Sequence, residues 1–207
     1  YKNCLRLSAE VTAIKRHNYG VDVTANGETE TYDQIVLAAH SDQSLAMLSD
    51  ASEQEQNILS AIRYLPNDVY LHRDHKLMPK RANVWSAWNY ISQDRNGRDP
   101  VMSVSYWMNR LQNIDYSKPV FVTLNPPVPP APDMTFGHYV YDHPQFDGAA
   151  LDAQKRLPTI QGVNRTWYCG AWCGYGFHED GLQSALKICT QLSAMPEVEK
   201  IERAAAE

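Results

Sequence analysis

Apolar and polar positions alternate at the start of the chain. Val11-Thr12-Ala13-Ile14 alternates into a strand, and residues 20–24 form another. Asn26-Gly27 is a strong signal for a two-residue hairpin, and 35–39 is a continuous apolar run suited to a buried strand. The period then changes to helical. Helices are expected over 41–48 and 52–63, the second opening on a Ser52/Glu55 capping box. Strands follow at 69–72, 84–90, 101–107, 120–124 and 138–141. Pro126, Pro127, Pro129, Pro130 and Pro132 make a stiff extended loop that cannot be a central strand. A short helix at 147–157 and the pair Gln161-Gly162 lead to a last strand at 166–169. A terminal helix is expected over 196–207, frayed at 204–206.

The last strand ends in Gly170 and runs through Ala171-Trp172-Cys173-Gly174-Tyr175-Gly176-Phe177-His178-Glu179 into a helix that places Leu182, Leu186, Ile188 and Leu192 at near-helical spacing. Strand, glycine turn and helix let backbone approach a ligand closely, and the helix start presents unpaired N–H groups. Glu179 and Asp180 also suit the helix dipole as ordinary first-turn residues. Pattern alone therefore leaves two readings open, a packing turn and a ligand turn.

The run resembles the C-terminal FAD motif of the flavin amine oxidase and phytoene desaturase superfamily. The earlier stretch, with Tyr32-Asp33-Gln34-Ile35-Val36-Leu37-Ala38-Ala39-His40, is similar to that superfamily's Val-x-x-Ile strand, meander and Asp-x-Ile-Val-x-Ala strand, in the same order. A narrower likeness, from about Val11 to about Leu192, is to amine-oxidase-like NAD/FAD-binding proteins also found fused ahead of plant cyclopropane-fatty-acid synthases. It rests on words such as Ile62-Arg63-Tyr64-Leu65-Pro66-Asn67-Asp68, Tyr106-Trp107-Met108-Asn109-Arg110-Leu111-Gln112 and Gly174-Tyr175-Gly176-Phe177-His178-Glu179-Asp180-Gly181.

The resemblance implies FAD as cofactor and an α+β fold: part of a Rossmann-like FAD-binding domain (1–40 and 158–207) with a largely antiparallel substrate domain (41–157). It implies that Val11 meets the adenine, Gly170 and Ala171 the ribityl side, and Gly176, Phe177 and His178 the isoalloxazine. Many relatives carry an acidic residue where Ala171 stands, which can offer only its backbone. Phe177 stands where amine oxidases usually have a cage tyrosine, so the hydroxyl is lost. Trp88, Tyr90 and Trp107 join Phe177 as candidate substrate-pocket rings, although sheet core is the plain reading of any single one. Trp88 and Tyr90 should share a face, whereas Tyr106 and Trp107 should face opposite sides.

The G-x-G-x-x-G turn and ribose-binding acid that would grip the ADP part of FAD are not in these 207 residues. Gly174-Tyr175-Gly176 has Glu179 at the third glycine's place. The chain starts at Tyr1, so it reads as the C-terminal part of a longer flavoprotein, with little or no hold on flavin by itself. Its net charge of −5 lacks the clustered cations of a nucleic-acid surface, and no apolar run reaches membrane-spanning length. The four cysteines have no framework spacing, no metal set stands out, and a reducing cytoplasm is expected. Two functions remain open. One is an FAD-dependent oxidoreductase passing hydride from an unidentified small molecule to flavin. The other is a non-catalytic module that self-associates or joins a partner chain. For these 207 residues by themselves a homo-oligomer is expected, from apolar surface at 35–39 and on the last helix.

Overall fold

The computed structural model describes residues 2–95 and 98–194; the helix expected over 196–207 lies outside the described residues. The chain forms two compact units, residues 1–63 with 144–207, and residues 64–143.

The first unit opens with β1 (Val11–His17), β2 (Gly20–Ala25) and β3 (Glu28–Tyr32), an antiparallel meander in that order. Asn26 (φ 52°) and Gly27 (φ 82°) both adopt the left-handed conformation that the tight hairpin between β2 and β3 requires. β4 (Ile35–Leu37) is followed by α1 (Ser41–Met47) and α2 (Glu53–Leu59). The expected capping box is present, with Glu55 accepting from the Ser52 N–H at 2.8 Å and Ser52 Oγ accepting from the Glu55 N–H at 3.3 Å.

The second unit holds β5 (Tyr64–His72), β6 (Trp88–Arg95), β7 (Arg98–Trp107), α3 (Met108–Gln112), β8 (Phe121–Leu124) and β9 (Thr135–Pro144), whose last residue enters the first unit. The sheet order is β6-β7-β8-β5-β9, with β6/β7, β7/β8 and β8/β5 antiparallel. The strand expected over 84–90 starts only at Trp88. Residues 82–84 form a 3-10 turn, and Trp85 leaves the sheet to donate its indole N–H to the Pro79 carbonyl at 2.7 Å. α3 was not expected, because side-chain hydrogen bonds rather than apolar period hold this segment. Buried Asn109 donates to the Asp115 and Lys118 carbonyls and accepts from the Val120 N–H.

One face of this sheet buries a polar chain. The Asp74 N–H donates to His72 Nδ1 at 3.1 Å, so Nε2 carries the proton and donates to Thr123 Oγ1 at 2.7 Å. Thr123 then donates to Ser105 Oγ at 2.7 Å, and Ser105 to the Leu77 carbonyl at 2.8 Å. Burial holds the His72 imidazole down at about 4, despite the neighbouring Asp74.

The chain returns to the first unit through α4 (Gly148–Arg156), capped by Asp147, then β10 (Thr166–Tyr168) and α5 (His178–Ser193). β10 lies parallel to β4, with Thr166 opposite Ile35, Trp167 opposite Val36 and Tyr168 opposite Leu37. Trp167, Cys169 and Ile188 form a buried cluster with Ala185 and Leu192. The fold is thus mixed helix and strand with mainly antiparallel sheet, as expected. α1, α2 and α4 pack in the first unit, where the division expected from sequence ran at 40 and 158. No helix among the described residues is long and apolar enough to cross a membrane.

Candidate functional site

Beyond β10 the backbone opens at Gly170, whose φ of +151° suits glycine, and then winds through a 3-10 turn at Ala171–Cys173. Buried Trp172 anchors the turn by donating its indole N–H to the Ala39 carbonyl at 3.0 Å. Gln154 of α4 donates to the Trp172 and Gly174 carbonyls at 2.8 and 2.7 Å. Ser184 Oγ accepts from the Gly170 N–H at 3.0 Å. The Asp180 carboxylate reaches back to accept from the Tyr175 and Phe177 N–H groups at 3.1 and 2.9 Å, closing the start of α5.

Two glycines have internal reasons for being there. A Cβ on Gly174 would stand 2.5 Å from the Asp180 carboxylate, and Gly176 has a φ of +90° with the Phe146 ring 3.2 Å from where its Cβ would be. The outer rim is open: Tyr175, Gly176, Phe177, His178 and Glu179 are exposed. Ala171 is half-buried beside Gly181, and its N–H has no acceptor among the described residues. Burial pushes the Cys173 thiol up to about 12 and raises the Cys169 thiol, so both are protonated at neutral pH. The turn therefore offers backbone dipoles and shape, not a thiolate nucleophile. Among the described residues no cluster of three or more His, Cys, Asp or Glu is placed to hold a metal ion.

The other candidates are dispersed. Val11 begins β1, half-buried and opposite Ala25, next to a bulge. Trp88 and Tyr90 share one face of β6, and Trp88 meets Tyr106 edge-on at 5.5 Å. Trp107 lies on the opposite face, packed edge-on against Trp85 at 5.4 Å and Tyr116 at 5.3 Å. The structure thus brings together two of the three rings expected from this unit. Phe177 belongs to the first unit.

Sequence reasoning missed a buried ionic cluster in the first unit. Arg16 donates to both Glu55 oxygens at 2.7 and 2.9 Å, and its Nε lies 2.7 Å from Asp50 Oδ1. Tyr168 donates to Glu55 at 2.7 Å. Burial alone would raise the Glu55 carboxyl, but hydrogen bonds from Arg16, Tyr168 and Ser52 prevail and hold it down to about 2. Its signal was parity: Arg16 stands two residues after buried Ile14, on the inward side of β1.

No protein-family model matches the chain, and no curated protein does. Solved structures do. The chain is similar to wild-type putrescine oxidase bound to putrescine, with TM-score 0.60 and 10% identity over 90% of this chain and 49% of that one. It is similar to the CLA-producing fatty acid isomerase from P. acnes, with TM-score 0.55 and 16% identity over 88% and 47%. Cyclohexylamine oxidase from Brevibacterium oxydans IH-35A gives TM-score 0.53 and 10% identity over 93% and 50%. The fold is therefore one shared with these oxidases and the isomerase, matching the resemblance read from the sequence. The chain spans about half the length of the solved structures it matches.

Proposed function

We propose that the chain is the C-terminal part of an FAD-dependent oxidoreductase acting on a small molecule. The observation that carries this reading is the parallel pairing of β4 with β10. It joins the two stretches that separately resemble flavoprotein motifs, and Gln34 and Trp167, 133 residues apart, hydrogen-bond across it at 3.0 Å. Parallel strands are normally found in covered sheets built by crossover connections, the setting of a dinucleotide-binding domain. The turn fits a flavin edge through the unpaired Ala171 N–H, the open backbone at Gly176 and the exposed start of α5.

When bound, FAD would supply the hydride acceptor. This chain's residues would hold and orient it: Val11 toward the adenine, Gly170 and Ala171 toward the ribityl chain, Gly176, Phe177 and His178 toward the ring. Phe177, 52% exposed, would present an apolar face with no hydroxyl. The pyrophosphate-gripping turn is outside these residues, so the 207-residue chain should hold flavin weakly or not at all. Expression of the complete reading frame tests the reading. A yellow protein with flavin absorbance is expected, and a colourless one that contains a G-x-G-x-x-G turn would overturn it.

One observation favours a second reading, a non-catalytic module that self-associates. Val36, Leu182 and Leu186 of the first unit are 42%, 52% and 48% exposed, and β4 has no second neighbour among the described strands. Bound flavin in the complete protein separates the two readings, and light scattering on the chain tests self-association, which a monomer at high concentration would exclude.

A further inference from the structure

The parallel pair of β4 and β10 is closed along one edge and open along the other. On the outer side of β10 the preceding turn takes up the backbone of Thr166 and Tyr168. The Gln161 side chain clamps Tyr168 as a neighbouring strand would, its Oε1 accepting from the Tyr168 N–H at 2.8 Å and its Nε2 donating to the Tyr168 carbonyl at 2.7 Å. The Gly162 N–H donates to the Thr166 carbonyl at 2.9 Å, and the Thr166 N–H donates to the Val163 carbonyl. That side offers nothing to a further strand. β4 is different. The Cys169 N–H donates to the Leu37 carbonyl at 3.0 Å, and in this register Leu37 faces β10 while the Val36 N–H and C=O point to the far edge. Neither group has a partner among the described residues, and Val36 is 42% exposed. Ile35-Val36-Leu37-Ala38 carries no proline or charge, and the pairing has no bulge, so none of the usual devices blunts this edge.

We propose that an extended segment from the part of the fold beyond these residues lies parallel to β4 and pairs with the Val36 N–H and C=O, making β4 a central strand. The proposal rests on the reading of the chain as part of a longer protein. Solved structures with this fold are about twice as long, the chain spanning 47%, 49% and 50% of three of them, so the fold holds as much chain again to supply a strand. Orientation follows from the existing pair. Parallel pairing is the weaker kind per residue and occurs in sheets covered on both faces, yet β4 and β10 have only three residues each. A second copy related by a two-fold axis would have to run antiparallel to β4, whereas a strand of the same protein can continue the order that β10 sets. Gln161 and its turn leave only the β4 side for that growth.

The test compares single-residue amide hydrogen exchange in the purified 207-residue chain and in the complete protein. The Leu37 N–H, on the side of β4 that faces β10, should be protected in both. The Val36 N–H should exchange freely in the chain and at least about a hundredfold more slowly in the complete protein. Val36→Pro gives a second readout, because proline is tolerated on an edge strand and not in a central one. It should lower the melting temperature of the complete protein by about 5 °C or more and that of the chain by less than half as much. Free exchange of Val36 in the complete protein, or an equal loss of stability in both, would overturn the proposal. So would protection of Val36 already present in the chain and no greater in the complete protein, because a second copy would then be the occupant. Neither readout involves flavin. A colourless complete protein with Val36 protected sinks the oxidoreductase reading alone, and a yellow one with Val36 exchanging freely sinks only this proposal.

Discussion

Glu55→Gln should destabilise the first unit by about 3 kcal/mol at pH 7. The side chains of Arg16 and Glu55 are 2% and 1% exposed, so the guanidinium left behind cannot turn to water. Breaking a buried pair by removing one partner costs about 3–5 kcal/mol, and the low end applies because Asp50 stays on Arg16 Nε. Linkage gives the same size independently. Glu55 is held at about 2 against an ordinary 4.5, a difference worth about 3 kcal/mol. A depressed carboxylate contributes its stability above the unfolded value and loses it as pH falls through the folded one. Wild type should therefore weaken between pH 4.5 and 2, and the variant should not share that slope. Urea titration followed by tryptophan fluorescence at pH 7 and pH 3 reads both effects. Tyr168→Phe, which removes one hydrogen bond to a charged oxygen, should cost about 1.5–3 kcal/mol. A loss under about 1 kcal/mol for Glu55→Gln at pH 7, or an unchanged acid slope, would refute the reasoning.

The second unit should weaken at higher pH than the first. His72 is fully buried and held at about 4 against an ordinary 6.5, so about 3 kcal/mol present above pH 6.5 should be lost as pH falls through 4, seen as a shift in urea midpoint by near-ultraviolet circular dichroism. Thr123→Val, which strips the Nε2–H of its acceptor, should cost about 1–3 kcal/mol at pH 7 in the same assay. Gly176→Ala should destabilise the flavin-free chain by more than about 1 kcal/mol, since its φ of +90° strains any side chain, whereas Gly148→Ala, with open space around the new Cβ, should be neutral or raise stability by up to about 1 kcal/mol; thermal melts of the two variants compare them directly.

Local signals in the sequence carried most of the first unit. The Asn26-Gly27 hairpin and the Ser52/Glu55 cap are specified by neighbouring residues, and both form as expected. Non-local choices were not legible. Alternation correctly separates Tyr106 from Trp107 and unites Trp88 with Tyr90, but only register decides which side of β7 joins which side of β6. Trp88 pairs with Tyr106, so Trp107 falls on the far face with Trp85. Trp85 itself looked like strand because aromatic residues are β-prone, until its indole found a carbonyl outside the sheet. The Arg16 cluster was hidden for a similar reason: Glu55 reads as a cap, and the same carboxylate also binds a guanidinium from β1 and a hydroxyl from β10.

The glycine turn shows why motif and mechanism must be weighed apart. Gly174 is needed for the Asp180 carboxylate, and Gly176 for its own φ and the Phe146 ring, so both would be glycine in a turn that never met a ligand. Their presence cannot decide between packing and cofactor binding. What packing leaves open is narrower: an Ala171 N–H without an acceptor among the described residues, and an exposed Tyr175 ring just before a 16-residue helix. A first-turn N–H has no intrahelical partner and, at half-buried Ala171, is open to water or to the electronegative edge of a ligand, while an exposed ring beside it can face a flat heterocycle. The case for flavin thus rests first on the β4–β10 pair, with the Ala171 donor and the exposed Tyr175 ring beside it, and much less on the glycines of the segment.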